Sequence, residues 1–225
     1  MAAPTTTVID GITSASQAVE TNTRASRVTL YPNDVGLLGA YSATVKSGIM
    51  AAGLAGAAPI VSFRWSPATN TTALATIRRM RFSMYDLGTG FAAGDVLFEA
   101  YVARAFTVQD TGGGAATLTT NNAKLRTSYA TTQAAIQVST TATLTAGTRT
   151  LDANPFRALQ AVATTSAFGA ITVAETEIFR VQPGEQPLIL AGSGEGVVIQ
   201  ATVPATGTWT AYITFDWDEV LSTEI

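Results

Sequence analysis

Cysteine and histidine are both absent from this 225-residue chain, and lysine occurs only as Lys46 and Lys124. Without cysteine there are no disulfides, no thiol nucleophile and no thiolate ligands for zinc or iron–sulfur clusters. Without histidine there is no Ser-His-Asp or Cys-His catalysis, no imidazole ligand for a metal, and no side chain that ordinarily titrates near neutral pH. We therefore expect no enzyme, and we assign no catalytic, cofactor-binding or metal-binding residue.

Charge is also scarce: 13% of the residues are charged, the net charge is −3 and the pI is about 4.9. The basic residues are scattered except for Arg78, Arg79 and Arg81, which argues against nucleic acid as a partner. The longest apolar stretch, at 48–61, is too short and too rich in glycine for a membrane helix. The opening MAAPTTTVIDG lacks the basic and apolar regions of a signal peptide. We expect synthesis in the cytoplasm and no membrane contact.

The residues that are present favour one large all-β domain preceded by an arm. Hydrophobic residues make up 47% of the chain, which is enough for a substantial core. Residues 1–45 are rich in threonine, serine and alanine without sustained hydrophobic periodicity. This composition predicts an extended N-terminal arm, with a short strand around RVTLY. The domain itself is predicted to span residues 46–225.

Alternation of apolar and polar residues predicts the strands of the first half of this domain. TIRRMRFSMY and residues 96–108 carry the pattern, and PIVSFRW is a further strand candidate. The first two segments could pair as a long hairpin, which would place Glu99 within cross-strand reach of Arg79 or Arg81.

Two other segments are predicted to be irregular or helical. DTGGGAA at 110–116 is glycine-rich and is predicted to form a flexible loop. NPFRALQAVA is predicted to form a short helix, because Asn154 suits the N-cap and Pro155 suits the first helical position.

The last third of the chain indicates the fold class most clearly. ETEIFRV, PLIL, GVVIQATV and TWTAYITFDW are separated by QPGEQ, AGSGEG and PATG, clusters that favour turns between antiparallel strands. Short strands at this spacing predict an all-β, antiparallel β-sandwich, jelly-roll-like, with at most one or two short helices.

The glycine-rich stretch AGSGEG at 191–196 resembles a phosphate-binding loop, but it fails the requirements of one. A P-loop needs Lys-Ser/Thr after its last glycine, and the dinucleotide fingerprint needs a glycine where Val197 stands. Both also need a helix to follow, whereas the next residues have the pattern of a strand. We interpret the stretch as a hairpin turn.

The arginine run is a second candidate site. Strand alternation places Arg79 and Arg81 on one face and turns Arg78 toward the apolar side, so the three should not form one patch. Arg78 and Arg104 both fall on otherwise apolar faces. A subunit interface or a strand end explains them better than burial alone, because an unpaired buried guanidinium is costly.

Two pairs of acids could hold Ca²⁺ or act as an acid and a base. Glu175 and Glu177 share one strand face, and Asp216 and Asp218 share another. Calcium requires about six oxygens from several segments, commonly a loop rich in Asp, Asn and Gly, and neither pair has that context. We interpret both pairs as solvated outer-face residues, with a metal site as the minor alternative.

The stretch TWTAYITFDWDE at 208–219 predicts a strand that packs on the core. Its apolar face consists of Trp209, Ala211, Ile213, Phe215 and Trp217. Asp216 and Asp218 fall on the opposite face, where we expect solvent. Accordingly, Trp217→Asp should prevent folding, whereas Asp218→Asn should be nearly silent.

Several sequence segments of the chain resemble segments of virion structural proteins of tailed bacteriophages. They are NNAKLRTSYATT, TATLTAGTRTLDANPF and, most strongly, GEQPLILAGSGEGVVIQATVPATGTWTAYITFDWDEV. The resemblance implies a capsid decoration (cement) protein with a jelly-roll-like sandwich, often a homotrimer, on the outer surface of the virion. Its partners would be the major capsid protein and copies of itself. An extended arm and an acidic net charge are compatible with such a role.

Two other functional classes stay open. The first is a host-attachment or glycan-binding module of a tail or fibre, because jelly-roll sandwiches also carry lectin sites on their loops. Phe91 in GTGFAAGD is the best loop candidate for contact with a sugar. The second is a carboxylate-only glycosidase, which would need two acids facing each other across a cleft, and we rank it last.

Overall fold

The part of the chain that the structure describes contains fifteen strands and no α-helix. The structure is a computed structural model. It describes residues 38–222 except 52–53, 55, 68–71, 88, 164–171, 183–184 and 193, together with 8–9 and 16–17. The chain divides into two units, residues 1–34 and 35–225. In the first unit, β1 (Val8–Ile9) pairs antiparallel with β2 (Ser16–Gln17). RVTLY lies outside the described residues.

The described strands of the second unit form two antiparallel sheets. The six-stranded sheet consists of β3 (Gly39–Lys46), β4 (Met50–Ala51), β6 (Ala73–Asp86), β12 (Thr172–Arg180), β13 (Leu188–Leu190) and β15 (Thr208–Leu221). The seven-stranded sheet consists of β5 (Ala58–Trp65), β7 (Gly94–Arg104), β8 (Gly113–Ala115), β9 (Ala134–Ser139), β10 (Thr150–Leu151), β11 (Arg157–Ala163) and β14 (Glu195–Thr202).

The two strands closest to the C-terminus occupy central positions, one in each sheet. In the six-stranded sheet the order is β12-β6-β15-β3, with β13 beside β6 and β4 beside β15. In the seven-stranded sheet the order is β10-β7-β14-β5-β9-β8, with β11 also beside β7. The two sheets pack face to face. The predicted all-β antiparallel sandwich is therefore confirmed.

Aromatic side chains from both sheets meet in the core. The ring centroids of Phe82 and Phe98 are 4.1 Å apart, and those of Phe63 and Trp217 are 5.2 Å apart in an edge-to-face arrangement. Trp209 packs against Phe98 in the same layer. Burying one such side chain contributes roughly 1.5–3 kcal/mol. The predicted apolar face of β15 is confirmed, because all five of its residues are fully buried.

The predicted hairpin of residues 76–85 with 96–108 is wrong. β6 and β7 lie in opposite sheets and face each other through Phe82 and Phe98. Glu99 on β7 lies opposite Gln200 of β14, not opposite an arginine of β6. The turns AGSGEG and PATG likewise connect strands of different sheets. β6, β7 and β15 each turn an apolar face toward the core, and crossing to the other sheet lets the apolar faces of consecutive strands cover each other.

The predicted helix after Asn154 is also wrong, because these residues form strand β11. β11 pairs antiparallel with β7 over seven residues. Its exposure alternates as in a strand: Ala161 is half-buried and Ala163 is buried, while Gln160 and Val162 are exposed. A helix of about ten residues is marginal by itself, so pairing with a sheet edge overrides the local helical signals.

Two other boundaries differ from the prediction. β3 pairs with β15 from Gly39 onward, so the sandwich begins before residue 46. Within the predicted flexible loop at 110–116, Gly113–Ala115 forms the short strand β8, which pairs with β9. Both segments have few large apolar residues and become ordered through a neighbouring strand.

Candidate functional site

A ladder of ion pairs crosses the outer face of the six-stranded sheet. Nε of Arg79 lies 2.7 Å from Oδ2 of Asp216, and Nη1 of Arg81 lies 2.7 Å from Oε1 of Glu175. Nε of Arg78 lies 3.0 Å from Oδ2 of Asp218. Every one of these contacts joins β6 to a neighbouring strand, so the ladder ties three strands together.

A fourth carboxylate completes the ladder on β12. Glu177 lies 3.6 Å from Nη1 of Arg79 and 3.6 Å from Nη1 of Arg180. The hydrogen bond to Asp216, together with the nearby charges of Asp216 and Glu177, raises the pKa of Arg79. Its guanidinium therefore stays charged at any pH at which the protein would be studied.

A β-bulge in β6 places all three arginines on one face. Asp216 lies opposite Arg79, but the next residue, Trp217, lies opposite Ile77. Arg78 is therefore the extra residue of a bulge, and both it and Arg79 point outward, as bulged residues can. The prediction that Arg78 turns toward the apolar side is wrong, because strict alternation assumes an unbroken register.

The acids of β15 are not solvated as predicted. Asp216 and Asp218 are only 7% and 4% exposed, although they lie on the polar face. The guanidinium groups of Arg79 and Arg78 lie directly against their carboxylates. Glu175 and Glu177 are exposed but also pair with arginine. A guanidinium beside each carboxylate disfavours Ca²⁺ at either pair.

The other half of this face carries a shallow cavity of about 420 Å³ beside two tyrosines. The rings of Tyr85 and Tyr212 are perpendicular, with centroids 5.9 Å apart. Oγ1 of Thr44 lies 2.8 Å from Oγ1 of Thr214 at the floor. We call this the tyrosine cavity. Its lining residues include Thr44, Arg81, Tyr85, Glu175, Tyr212 and Thr214.

Glu219, the last acid of the TWTAYITFDWDE stretch, points into the sandwich and is 2% exposed. It accepts hydrogen bonds from Oγ1 of Thr132 at 2.5 Å and from the backbone N–H of Gln133 at 3.2 Å. Burial raises the pKa of the Glu219 carboxyl, and these hydrogen bonds offset part of that increase. The carboxylate anchors the segment before β9 to the end of β15.

A buried ion pair that sequence reasoning missed lies beneath the loop after β7. Oδ1 of Asp110 accepts hydrogen bonds from Nε of Arg149 and from the backbone N–H of Gly147, each at 2.8 Å. The side chains of Asp110 and Arg149 are 0% and 4% exposed. The guanidinium also lies over the ring of Phe106. The two residues are 39 apart, and no local pattern links them.

The remaining sequence candidates serve structural roles. Arg104 is the last residue of β7 and pairs with Asp152 and Glu195, so the strand-end explanation is confirmed. Gly194 of the AGSGEG stretch makes backbone hydrogen bonds with Trp65 and Phe106. Phe91, the predicted sugar contact, is only 6% exposed, so that prediction is wrong. The Phe91 ring belongs to the hydrophobic core and lies close to Gly207.

Within the described residues, no group of three or more acids, histidines and cysteines is placed to hold a metal ion. In the part of the chain that the structure describes, no helix is long and apolar enough to cross a membrane. Comparison with known proteins finds no match to a protein family, to a curated protein or to a solved structure.

Proposed function

We propose that this chain is a structural protein of a tailed-bacteriophage virion, most simply a capsid decoration protein that bridges neighbouring capsid subunits. The observation that carries the proposal is where the resemblance falls. The segment 184–220, whose sequence most resembles virion proteins, supplies β13, β14 and most of β15. β14 and β15 are central strands of the two sheets. The likeness therefore concerns the residues that organise the sandwich.

An open strand edge supports a role in assembly. On β3, the N–H of Ser42 bonds to Ala123 and the C=O of Ala40 accepts from Leu125, so even-numbered residues direct their backbone away from β15. By the same alternation, Thr44 directs its N–H and C=O toward a groove of about 370 Å³. An edge of this kind can accept an extended segment of a neighbouring subunit.

In this proposal, the protein acts by combining several weak contacts. Oligomerisation, as a trimer or another symmetric assembly, would link those contacts so that they act as one strong attachment. The ion-pair ladder would contribute by holding β6, β12 and β15 in a fixed relation, so that the edge of β3, which pairs with β15, needs no reordering when it binds a neighbouring subunit.

The test is particle stability. Particles produced without the protein should lose integrity at lower temperature and in low salt, and adding back the purified chain should restore both. Thr44→Pro removes the outward N–H at an edge position where proline is tolerated, and it should restore less stability than the control Thr44→Ala. Full resistance of particles that lack the protein would contradict the proposal.

We propose host attachment through glycan binding as the second function, because the tyrosine cavity offers aromatic rings beside hydroxyl groups. Tyr85 is 41% exposed on the sheet face, whereas Phe91 is buried. The supporting surface is therefore a sheet face and not a loop. Binding of the purified chain to a glycan array separates this function from decoration, which requires capsids.

A further inference from the structure

We infer that the tyrosine cavity binds a sugar ring that carries a carboxylate, as a unit of an acidic polysaccharide. This inference names the ligand class of the second proposed function and rests on it, and it is independent of capsid binding. Three observations support it: the aromatic surface of the cavity, its hydroxyl groups, and the positive charge of Lys46 beside Tyr212.

The aromatic surface suits the apolar face of a pyranose ring. Tyr85 and Tyr212 stand perpendicular, with centroids 5.9 Å apart, so one ring can stack beneath a sugar while the other closes its side. The cavity volume, about 420 Å³, falls within the range of roughly 300–1,000 Å³ that is usual for small-molecule sites. Tyrosine also keeps a phenol group for hydrogen bonding at the edge of such a contact.

The floor of the cavity offers hydrogen-bonding groups that suit sugar hydroxyls. The Oγ1 atoms of Thr44 and Thr214 lie 2.8 Å apart. Two hydroxyl groups carry two protons, and their mutual bond uses one of them. One donor and several acceptor lone pairs therefore remain. At the rim, Glu175 contacts Arg81 through Oε1, which leaves its other oxygen as an acceptor.

The charge of this sheet face favours an anion. Among the side chains of this face that the structure describes, the cations are Arg78, Arg79, Arg81, Arg180 and Lys46, and the carboxylates are Asp216, Asp218, Glu175 and Glu177. Five positive and four negative charges leave a surplus of one, on a chain whose net charge is −3. All four carboxylates lie against arginines.

The surplus cation is Lys46, which lies beside Tyr212, one of the residues that line the tyrosine cavity. Nζ of Lys46 is 5.3 Å from the ring centroid of Tyr212. Among the described residues, no carboxylate lies within 4.0 Å of Nζ of Lys46. A carboxylate on a sugar stacked against the tyrosines would provide the counter-charge. An acidic polysaccharide therefore fits this surface better than a neutral one.

The test measures binding of the full-length chain to oligogalacturonate, with dextran as the neutral sugar and polyglutamate as an acidic peptide. We expect binding to oligogalacturonate that weakens with added salt and exceeds binding to the other two. Tyr85→Ala should weaken it by roughly two- to tenfold, the value of one aromatic contact. Lys46→Gln should weaken it by roughly two- to fivefold at low ionic strength.

The chain supplies a matched control in its only other lysine. Lys124→Gln removes the same charge away from the tyrosine cavity and should leave binding unchanged. Equal binding to dextran or to polyglutamate overturns the inference, and so does an absence of binding to oligogalacturonate. Binding that Tyr85→Ala and Lys46→Gln leave intact overturns this site but not the glycan-binding function. Failure to bind any member of a glycan array overturns both.

Discussion

Nε of Arg78 lies 3.0 Å from Oδ2 of Asp218 on the outer face of the six-stranded sheet. The bulge in β6 creates this relationship by turning Arg78 outward. The side chain of Asp218 is 6% exposed and that of Arg78 is 35% exposed, so the pair is half-sheltered. It also determines how the acidic end of β15 should respond to substitution.

Asp218→Asn should destabilise the protein, although the sequence alone predicted almost no effect of this substitution. The substitution removes a buried charge that faces a guanidinium, and we expect a loss of about 1–3 kcal/mol in the free energy of unfolding. This is less than the roughly 3–5 kcal/mol of fully buried pairs. Denaturant unfolding measures it. The control Glu175→Gln, at the exposed end of the ladder, should cost less than about 1 kcal/mol. If Asp218→Asn and Glu175→Gln cause equally small losses in the free energy of unfolding, the prediction is wrong.

Glu219 should make stability decrease as pH rises. Burial raises the pKa of Glu219 in the folded protein above its ordinary value of 4.5, so the folded state holds this proton more tightly than the unfolded state. Between the two pKa values, the free energy of unfolding falls with increasing pH. Below pH 4.5 this contribution to stability is fully present, and it is lost once the pH exceeds the pKa of Glu219 in the folded state.

Glu219→Gln tests this pH dependence by mimicking the protonated carboxyl. The stability of the variant relative to the natural chain should increase from pH 4.5 upward, as measured by unfolding at several pH values. Glu219→Ala is the control for hydrogen bonding: it leaves Thr132 and Gln133 without this acceptor and should be destabilising throughout the range. If the difference in free energy of unfolding between Glu219→Gln and the natural chain does not change with pH, the explanation is wrong.

Gly113→Ala and Gly114→Ala should behave differently although the residues are neighbours. A Cβ on Gly113 would lie 2.1 Å from the backbone oxygen of Val138, whereas a Cβ on Gly114 would have its nearest neighbour at 3.7 Å. We expect Gly113→Ala to cost about 1–3 kcal/mol or more from overpacking, and Gly114→Ala to stay within about 1 kcal/mol. Thermal unfolding compares the two. Equal tolerance would show that β8 is as loose as the predicted loop.

Trp217→Asp should abolish folding, as the strand pattern already indicated. Trp217 is fully buried, stacks on Tyr41 with centroids 5.4 Å apart, and meets Phe63 edge-on. A carboxylate there would be desolvated among apolar rings at a cost of several kcal/mol. Val162→Asp introduces the same group at a site that is 63% exposed and should change stability by about 0.5 kcal/mol or less. Near-ultraviolet circular dichroism distinguishes the outcomes, and a folded Trp217→Asp protein would contradict the core assignment.

Most of the strands could be predicted from sequence, but their partners could not. Period-2 alternation identified β6, β7 and β15, because each has one apolar face toward the core. The predicted turn PATG lies between β14 and β15, whereas Glu195 and Gly196 of AGSGEG already belong to β14. A turn cluster does not determine whether the chain returns within a sheet or crosses to the other one, so the predicted hairpins of β6 with β7 and of β13 with β14 were wrong.

The candidate site was less predictable than the fold. The acids of β15 were assigned to the correct face, but their burial and their arginine partners depend on the bulge at Arg78. The pair Asp110 and Arg149 joins residues from different loops, and the tyrosine cavity joins side chains from β3, β6, β12 and β15. No local sequence signal encodes such long-range neighbours.

The sequence by itself determined three properties of this protein. It has no cysteine or histidine chemistry, several of its strands have one apolar face, and β15 packs against the core. Those properties depend on composition and on a period of two residues, which are local. Only the tertiary structure decided which sheet each strand joined, that residues 157–163 form a strand, and that Asp216 and Asp218 lie against arginines. Register, bulges and contacts between distant segments are set by the fit of the whole sandwich, where local preferences yield to packing.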